Sequence, residues 1–132
     1  MPAAVVAAFL VGHGLIHGSY LAPRPPAKAG GPAWPFELGR SWLLTRLGVP
    51  ARWLRTLGTT LVVATIAGFA AAALAALGLA PGLWTPGVVL GAVASLVTLG
   101  VYFHPWLVLG IAIDIALLWG VSIGVTPDVI AG

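Results

Sequence analysis

The chain has 132 residues, of which 60% are hydrophobic and only 7% are charged, with six Lys or Arg, three Asp or Glu and no cysteine. A soluble domain usually carries about 25% charged residues, so this composition predicts a single domain embedded in a lipid bilayer. The lack of cysteine excludes disulfides, thiolate metal ligands and cysteine nucleophiles. The basic excess is small and forms no stripe with interleaved aromatic residues, which argues against nucleic-acid binding.

Four apolar stretches are long enough to cross a bilayer, which takes about 20 residues in a helix. Within the single domain 1–132 they cover roughly 3–22, 57–79, 85–103 and 106–125. The last three are separated by Ala80-Pro81-Gly82 and by His104-Pro105, because proline ends one helix and suits the first turn of the next. The sequence therefore predicts an all-α fold, an antiparallel bundle of four transmembrane helices.

All the basic residues lie in the loop 23–56 between the first and second predicted spans. They are Arg24, Lys28, Arg40, Arg46, Arg52 and Arg55. By the positive-inside rule this loop is cytoplasmic, and both termini lie outside the plasma (inner) membrane. We expect the basic side chains at the membrane interface, where they reach the lipid headgroups.

The predicted loop has two parts of different character. Residues 22–35 are rich in proline and glycine and cannot form a regular helix. Residues 36–48 would place Phe36, Leu43 and Leu47 on one side of a helix, although Arg40 falls into the same arc. The pattern leaves two alternatives open, a short helix lying at the membrane interface and a loop packed beneath the bundle.

Two histidines stand four residues apart in the first predicted span, at His13 and His17. A helix places such residues on one face, and ionisable groups within a bilayer are functional candidates because they are costly there. Counting along the helices, His13 and Asp114 both lie about 13 Å from the loop side of the membrane, and His17 about 7 Å. We predict that Asp114 faces the bundle interior and hydrogen-bonds to His13, directly or through water.

Tyr20 and Tyr102 fall in the same layer, and His104 falls at the rim on the loop side of the membrane. The predicted polar pocket comprises His13, His17, Asp114, His104, Tyr20 and Tyr102. We expect the serine and threonine hydroxyls of the spans, Ser95 among them, to serve helix packing. No nucleophile–base pair stands out, so the pattern favours a role without catalysis.

The histidine and aspartate pattern leaves three interpretations open. The residues could form a static polar clasp between the first and fourth spans, or handle a proton or a small substrate. Alternatively, His13 and His17 could share a divalent metal ion, with Asp114 as a third ligand, or a histidine pair such as His17 and His104 could hold a haem. We expect a ligand-binding protein or an accessory subunit, in contact with other membrane subunits or with further copies of itself.

Several short motifs resemble a group of small four-helix bacterial integral membrane proteins. The motifs are Gly-His-Gly-Leu-Ile-His at 12–17, Trp-Pro-Phe-Glu-Leu-Gly-Arg-Ser-Trp-Leu-Leu at 34–44, Arg-Thr-Leu-Gly at 55–58, and Phe-His-Pro-Trp at 103–106 followed by Asp114. The four-span layout is also loosely similar to the DoxX-like class. The resemblance implies four helices and a role for the two histidines, and it implies no particular activity.

Overall fold

The computed structural model describes residues 2–26, 29–31 and 34–127, so Lys28 and residues 128–132 lie outside the described part of the chain. It contains four helices, α1 (Ala3–His17), α2 (Ala51–Ala76), α3 (Trp84–Val101) and α4 (Val108–Ser122). Together with short 3-10 turns at their ends, all four are long and apolar enough to cross a membrane. The described residues contain no strand, and the predicted all-α bundle of four helices is confirmed.

Helix α2 begins earlier than the apolar pattern predicts. It starts at Ala51, directly after Pro50, whereas the apolar run starts at Leu57. Its 26 residues span about 39 Å, which exceeds the hydrocarbon core of about 30 Å. Arg52 and Arg55 therefore belong to the first turns of α2, where arginine is a good helix former, and the loop predicted to end at residue 56 ends at residue 50.

Glycines in the left-handed conformation end two of the helices. Gly78 follows α2 with φ 75°, and Gly124 follows α4 with φ 80°. At both ends the residue after the glycine donates its backbone N–H to a carbonyl of the last helical turn. Leu79 donates to Leu74, and Val125 donates to Gly120. This pattern satisfies carbonyls that a helix end leaves unpaired, and the positive φ makes glycine the favoured residue.

The segment between α1 and α2 packs as a loop against the end of the bundle, which we call the loop end. Residues 42–48 form consecutive turns, and the short interfacial helix is not formed. The Ser41 hydroxyl accepts from the Leu44 N–H while the Ser41 N–H donates to the Thr45 hydroxyl, so local side-chain bonds compete with a helix. Trp42 Nε1 donates to the carbonyl of Gly100 at 2.7 Å and thereby ties the loop to the end of α3.

The helices pack in chain order, with α2 and α3 in the most extensive contact, α1 against α2, and α4 against α3. One apolar cluster around Leu10, Phe69 and Val88 fills the bundle towards the opposite end, which we call the terminal end. A second apolar cluster around Val62 and Leu99 fills the loop end. The residues between these two clusters along α1, α3 and α4 are polar, and they form the candidate site.

A buried polar cluster between three helices

Asp114 is the one residue of α4 that is buried, with none of its surface exposed. One of its carboxylate oxygens, Oδ1, lies 2.9 Å from Nε2 of His13 on α1. The other, Oδ2, accepts a short hydrogen bond from the hydroxyl of Ser95 on α3. The carboxylate therefore joins α4 to two other helices within an apolar bundle, where a buried charge requires partners.

A second histidine of α1 extends this chain of hydrogen bonds. His17 Nε2 lies 2.9 Å from the Ser95 hydroxyl oxygen. We call the four connected residues His13, Asp114, Ser95 and His17 the polar cluster. Each is at most 5% exposed, so the polar cluster is closed off within the protein.

The donors and acceptors of the polar cluster can be assigned from their chemistry. If Asp114 is ionised, its carboxylate only accepts hydrogen bonds, and both His13 Nε2 and the Ser95 hydroxyl then donate to it. Since the single hydroxyl proton of Ser95 goes to Asp114, the Ser95 oxygen accepts from His17 Nε2. In its neutral form His17 therefore carries its hydrogen on Nε2 and presents Nδ1 as a bare acceptor.

Two polar atoms beside the polar cluster have no partner among the described residues. They are Nδ1 of His17 and the hydroxyl of Tyr20, and both are buried. The two rings stack with their centroids 6.3 Å apart. Both residues line a cavity of about 140 Å³, which we call the polar cavity.

The rest of the polar cavity is mainly apolar. Its lining lies between α1 and α4 and includes Ile16, Leu99, Leu107 and Ile113. Phe36 of the loop packs edge-on against Tyr20 at a centroid distance of 5.1 Å and closes the loop end. The cavity thus borders two residues that carry unpartnered hydrogen-bonding atoms, and its wall is mainly apolar.

The same residues meet the simplest geometric requirement for a metal site. One ligand atom each from His13, His17 and Asp114 lies within 4.8 Å of the other two. Nitrogen and carboxylate donors in this number are typical of zinc and similar divalent ions. In the structure these residues bond instead to one another and to Ser95.

The structure brings together some of the predicted pocket residues and separates others. His13, His17 and Asp114 converge, and the predicted bond between His13 and Asp114 is present. Tyr20 borders the polar cavity. Tyr102 lies beside Tyr20, with ring centroids 6.3 Å apart.

Tyr102 and His104 have partners outside the polar cluster. The Tyr102 hydroxyl donates to the carbonyl of Leu54. His104 lies at the loop-end rim, where its Nδ1 accepts from the Trp106 N–H at 3.3 Å. Its backbone is extended, at φ −140° and ψ 139°, as expected before a proline. It is not among the three residues whose ligand atoms converge.

Ser95 is the member of the polar cluster that the sequence pattern missed, because a serine in a membrane span usually serves packing. A signal was available, since Ser95 lies about 10 Å before Tyr102 along α3 and so close to the depth of Asp114.

Comparison with protein-family models, curated proteins and solved structures finds no match to this chain. The resemblance to small four-helix bacterial proteins and to the DoxX-like class therefore stays a prediction.

Proposed function

We propose that this protein binds a small, lipid-soluble molecule at the polar cluster, without catalysing a reaction on it. The observation that carries the proposal is the pair of buried, unpartnered atoms beside the polar cavity, Nδ1 of His17 and the hydroxyl of Tyr20. Leaving a buried polar group without a partner costs about 1–3 kcal/mol. A static clasp gives no reason for that cost, whereas a ligand that hydrogen-bonds to both atoms removes it.

The dimensions of the polar cavity define the class of ligand. An engineered apolar cavity of about 150 Å³ binds benzene, so a cavity of about 140 Å³ suits one small ring or a short branched group. Its apolar lining favours a hydrophobic body, and the bare Nδ1 of His17 favours a group that donates a hydrogen bond. A phenol has both properties.

The test compares two probes that differ in one hydroxyl, 4-fluorophenol and fluorobenzene, by fluorine NMR with protein in lipid nanodiscs. We expect the wild type to bind 4-fluorophenol at least about tenfold more tightly than fluorobenzene, as one hydrogen bond to a buried acceptor provides. In His17→Leu this preference is expected to vanish, while in Ser122→Ala, a hydroxyl change on the exposed side of α4, it persists. Each probe partitions into the lipid to the same extent whichever protein is present. An equal preference for 4-fluorophenol in wild type and His17→Leu would therefore contradict the proposal.

A divalent metal ion is the second candidate ligand, supported by the convergence of His13, His17 and Asp114. The ion would use the two imidazoles and the carboxylate as ligands. The test is elemental analysis after incubation with Zn²⁺ and, separately, the visible spectrum after incubation with Co²⁺. One tightly held ion per chain that Asp114→Asn abolishes would favour the metal over the phenol-like ligand.

Haem ligation has less support from the geometry. Axial histidines of a b-type haem come from opposed positions across the macrocycle. His13 and His17 lie on the same face of one helix, and His104 is engaged with Trp106 at the rim. Purified protein without a Soret band would remove this alternative.

We further propose that the loop end faces the cytoplasm. Every Lys and Arg of the chain lies in the loop between α1 and α2 or in the first turns of α2, in the pattern of the positive-inside rule. Because the chain has no cysteine, single substitutions allow a clean labelling test. In intact cells a membrane-impermeant maleimide should label Leu79→Cys, at the terminal end, and should not label Ala29→Cys until the membrane is opened.

Partners beyond the lipid bilayer stay a prediction. The outward face of α4 carries large exposed side chains such as Leu109, Ile115 and Trp119. Lipid covers such a face in a monomer, and another subunit or a second copy covers it in an assembly. Crosslinking in native membranes, followed by mass measurement, distinguishes these states.

A further inference from the structure

Most of the described arginines line one cleft at the loop end, which we call the basic cleft. It has a volume of about 540 Å³, and its cationic lining residues are Arg24, Arg40, Arg46 and Arg55. Arg52 is the one other arginine, and it lies outside the basic cleft with its guanidinium 5.8 Å from the centre of the Trp53 ring.

The charges within the basic cleft are not balanced. Its only acidic lining residue among the described residues is Glu37, so the four arginines leave a formal excess of three positive charges. One Glu37 oxygen lies 3.4 Å from Arg24, and the other accepts from the Gly39 N–H at 3.0 Å. The carboxylate is therefore committed to Arg24 and the loop backbone, and Arg40 and Arg46 form no ion pair with any described carboxylate.

The residues that line the basic cleft indicate where it lies relative to the membrane. Ser41 and Trp42 donate to the last carbonyls of α3, those of Val101 and Gly100, so the loop is anchored where the third span ends. Trp34, Trp42 and Phe103 contribute aromatic rings to the lining. Tryptophan is typical of the headgroup level of a bilayer, so we expect the basic cleft to lie beside the lipid phosphates.

We propose that the basic cleft binds the phosphate of an anionic phospholipid from the leaflet at the loop end. An arginine guanidinium presents a planar fork of donors that matches two phosphate oxygens at once. The excess of positive charge favours a headgroup with net negative charge over a zwitterionic one, because a choline or ethanolamine group would bring its own cation. The site is separate from the polar cluster, and the proposal does not depend on what the polar cavity binds.

The test counts bound lipids by native mass spectrometry of detergent-purified protein titrated with phosphatidylglycerol or phosphatidylcholine. We expect one phosphatidylglycerol to be retained in preference to phosphatidylcholine. In Arg40→Gln/Arg46→Gln its apparent Kd should rise by at least about tenfold, the loss expected for hydrogen bonds to a charged group. The control Arg52→Gln removes one charge outside the basic cleft, against two in the double variant, and should change the Kd by less than about twofold.

Two outcomes would overturn the proposal. If Arg52→Gln weakens phosphatidylglycerol binding as much as the double variant, the lipid responds to overall charge and not to the basic cleft. If inorganic phosphate or glycerol 3-phosphate competes as well as phosphatidylglycerol itself, the site takes a soluble phosphate and not a lipid. Circular dichroism shows whether each variant is folded, and because the substituted side chains are exposed we expect native helix content in all of them.

Discussion

The interface between α2 and α3 depends on close packing of the two backbones. The interface between α1 and α4, which we call the seam, depends instead on a polar contact. Between α2 and α3, a Cβ atom added to Gly68 would lie 2.3 Å from the backbone nitrogen of Gly91, so the two backbones touch. Between α1 and α4 the backbones hardly approach each other, and the hydrogen bond from His13 to Asp114 joins them. Beside that bond lie the polar cavity and an apolar groove of about 420 Å³.

The difference separates the closely packed part of the bundle from the part that leaves space between its helices. In a bilayer, helices gain little from burying apolar side chains, so close packing of small residues supplies much of the association energy. Helix α4 has little of that packing, and its single buried residue is Asp114. Polar side chains thus lie at the seam, where space remains between the helices. Substitutions in the two interfaces test this difference and are given from the largest expected effect to the smallest.

Gly68→Ala should have the largest effect on stability. Its methyl group would collide with backbone atoms of Gly91 and Gly87, which cannot move aside without separating the helices. We expect the free energy of unfolding to fall by about 3 kcal/mol, at the upper end for overpacking. Tryptophan fluorescence during titration with sodium dodecyl sulfate measures this change. Gly12→Ala, where an added Cβ meets nothing within 4 Å, is the control and should cost nothing measurable.

Asp114→Leu should have the next largest effect, about 2 kcal/mol, because it leaves the donors of His13 and Ser95 without their acceptor. Asp114→Asn keeps the shape and one carbonyl oxygen, so we expect it to lose about half as much. The same unfolding titration compares the two variants. Negligible losses in both variants would indicate that the carboxylate only fills space.

The position of Asp114 shows how much of the site the sequence can predict. Depth along each span pairs Asp114 with His13 correctly, because rise per residue is fixed in a helix. Depth does not give the rotation of a helix about its axis, so it cannot tell that Ser95 turns inward. It also places His104 at the rim, where the structure has it, with the extended backbone that precedes a proline.

Some parts of the fold can likewise be predicted from the sequence, and others cannot. Hydropathy and the proline breaks predict the four helices, because lipid requires every backbone polar group of a span to be satisfied internally. The conformation of the segment 36–48 cannot be predicted in the same way. A helix of that length is marginal by itself, and bonds from Ser41 and Trp42 to the end of α3 decide its conformation.

Ser95→Ala should reduce the free energy of unfolding by about 1 kcal/mol, since it removes one donor to Asp114 and the acceptor of His17. The control is Ser122→Ala, whose hydroxyl bonds to the carbonyl of Trp119 on an exposed surface. We expect less than about 0.5 kcal/mol for the control. If the two serines prove equivalent, the polar cluster contributes no more than an exposed hydroxyl.

Gly110→Ala should have the smallest effect on stability and a clear effect on binding. Its Cβ would lie 3.1 Å from a Leu99 methyl group and 4.0 Å from His13 Cε1, at the wall of the polar cavity. Since the nearest atom ends a flexible side chain, we expect a stability change within about 1 kcal/mol. Binding of 4-fluorophenol should weaken in this variant and stay unchanged in Gly120→Ala, ten residues further along α4.

The most direct test is nitrogen NMR of protein labelled with ¹⁵N-histidine, in lipid nanodiscs, with and without 4-fluorophenol. We expect His17 to carry its hydrogen on Nε2, and the signal of its bare Nδ1 to shift when the phenol is added. Ser95→Ala should change the His17 Nε2 signal, because that nitrogen loses its acceptor. A hydrogen on Nδ1, with signals that neither the phenol nor Ser95→Ala alters, would contradict both the hydrogen-bond chain and the ligand site built on it.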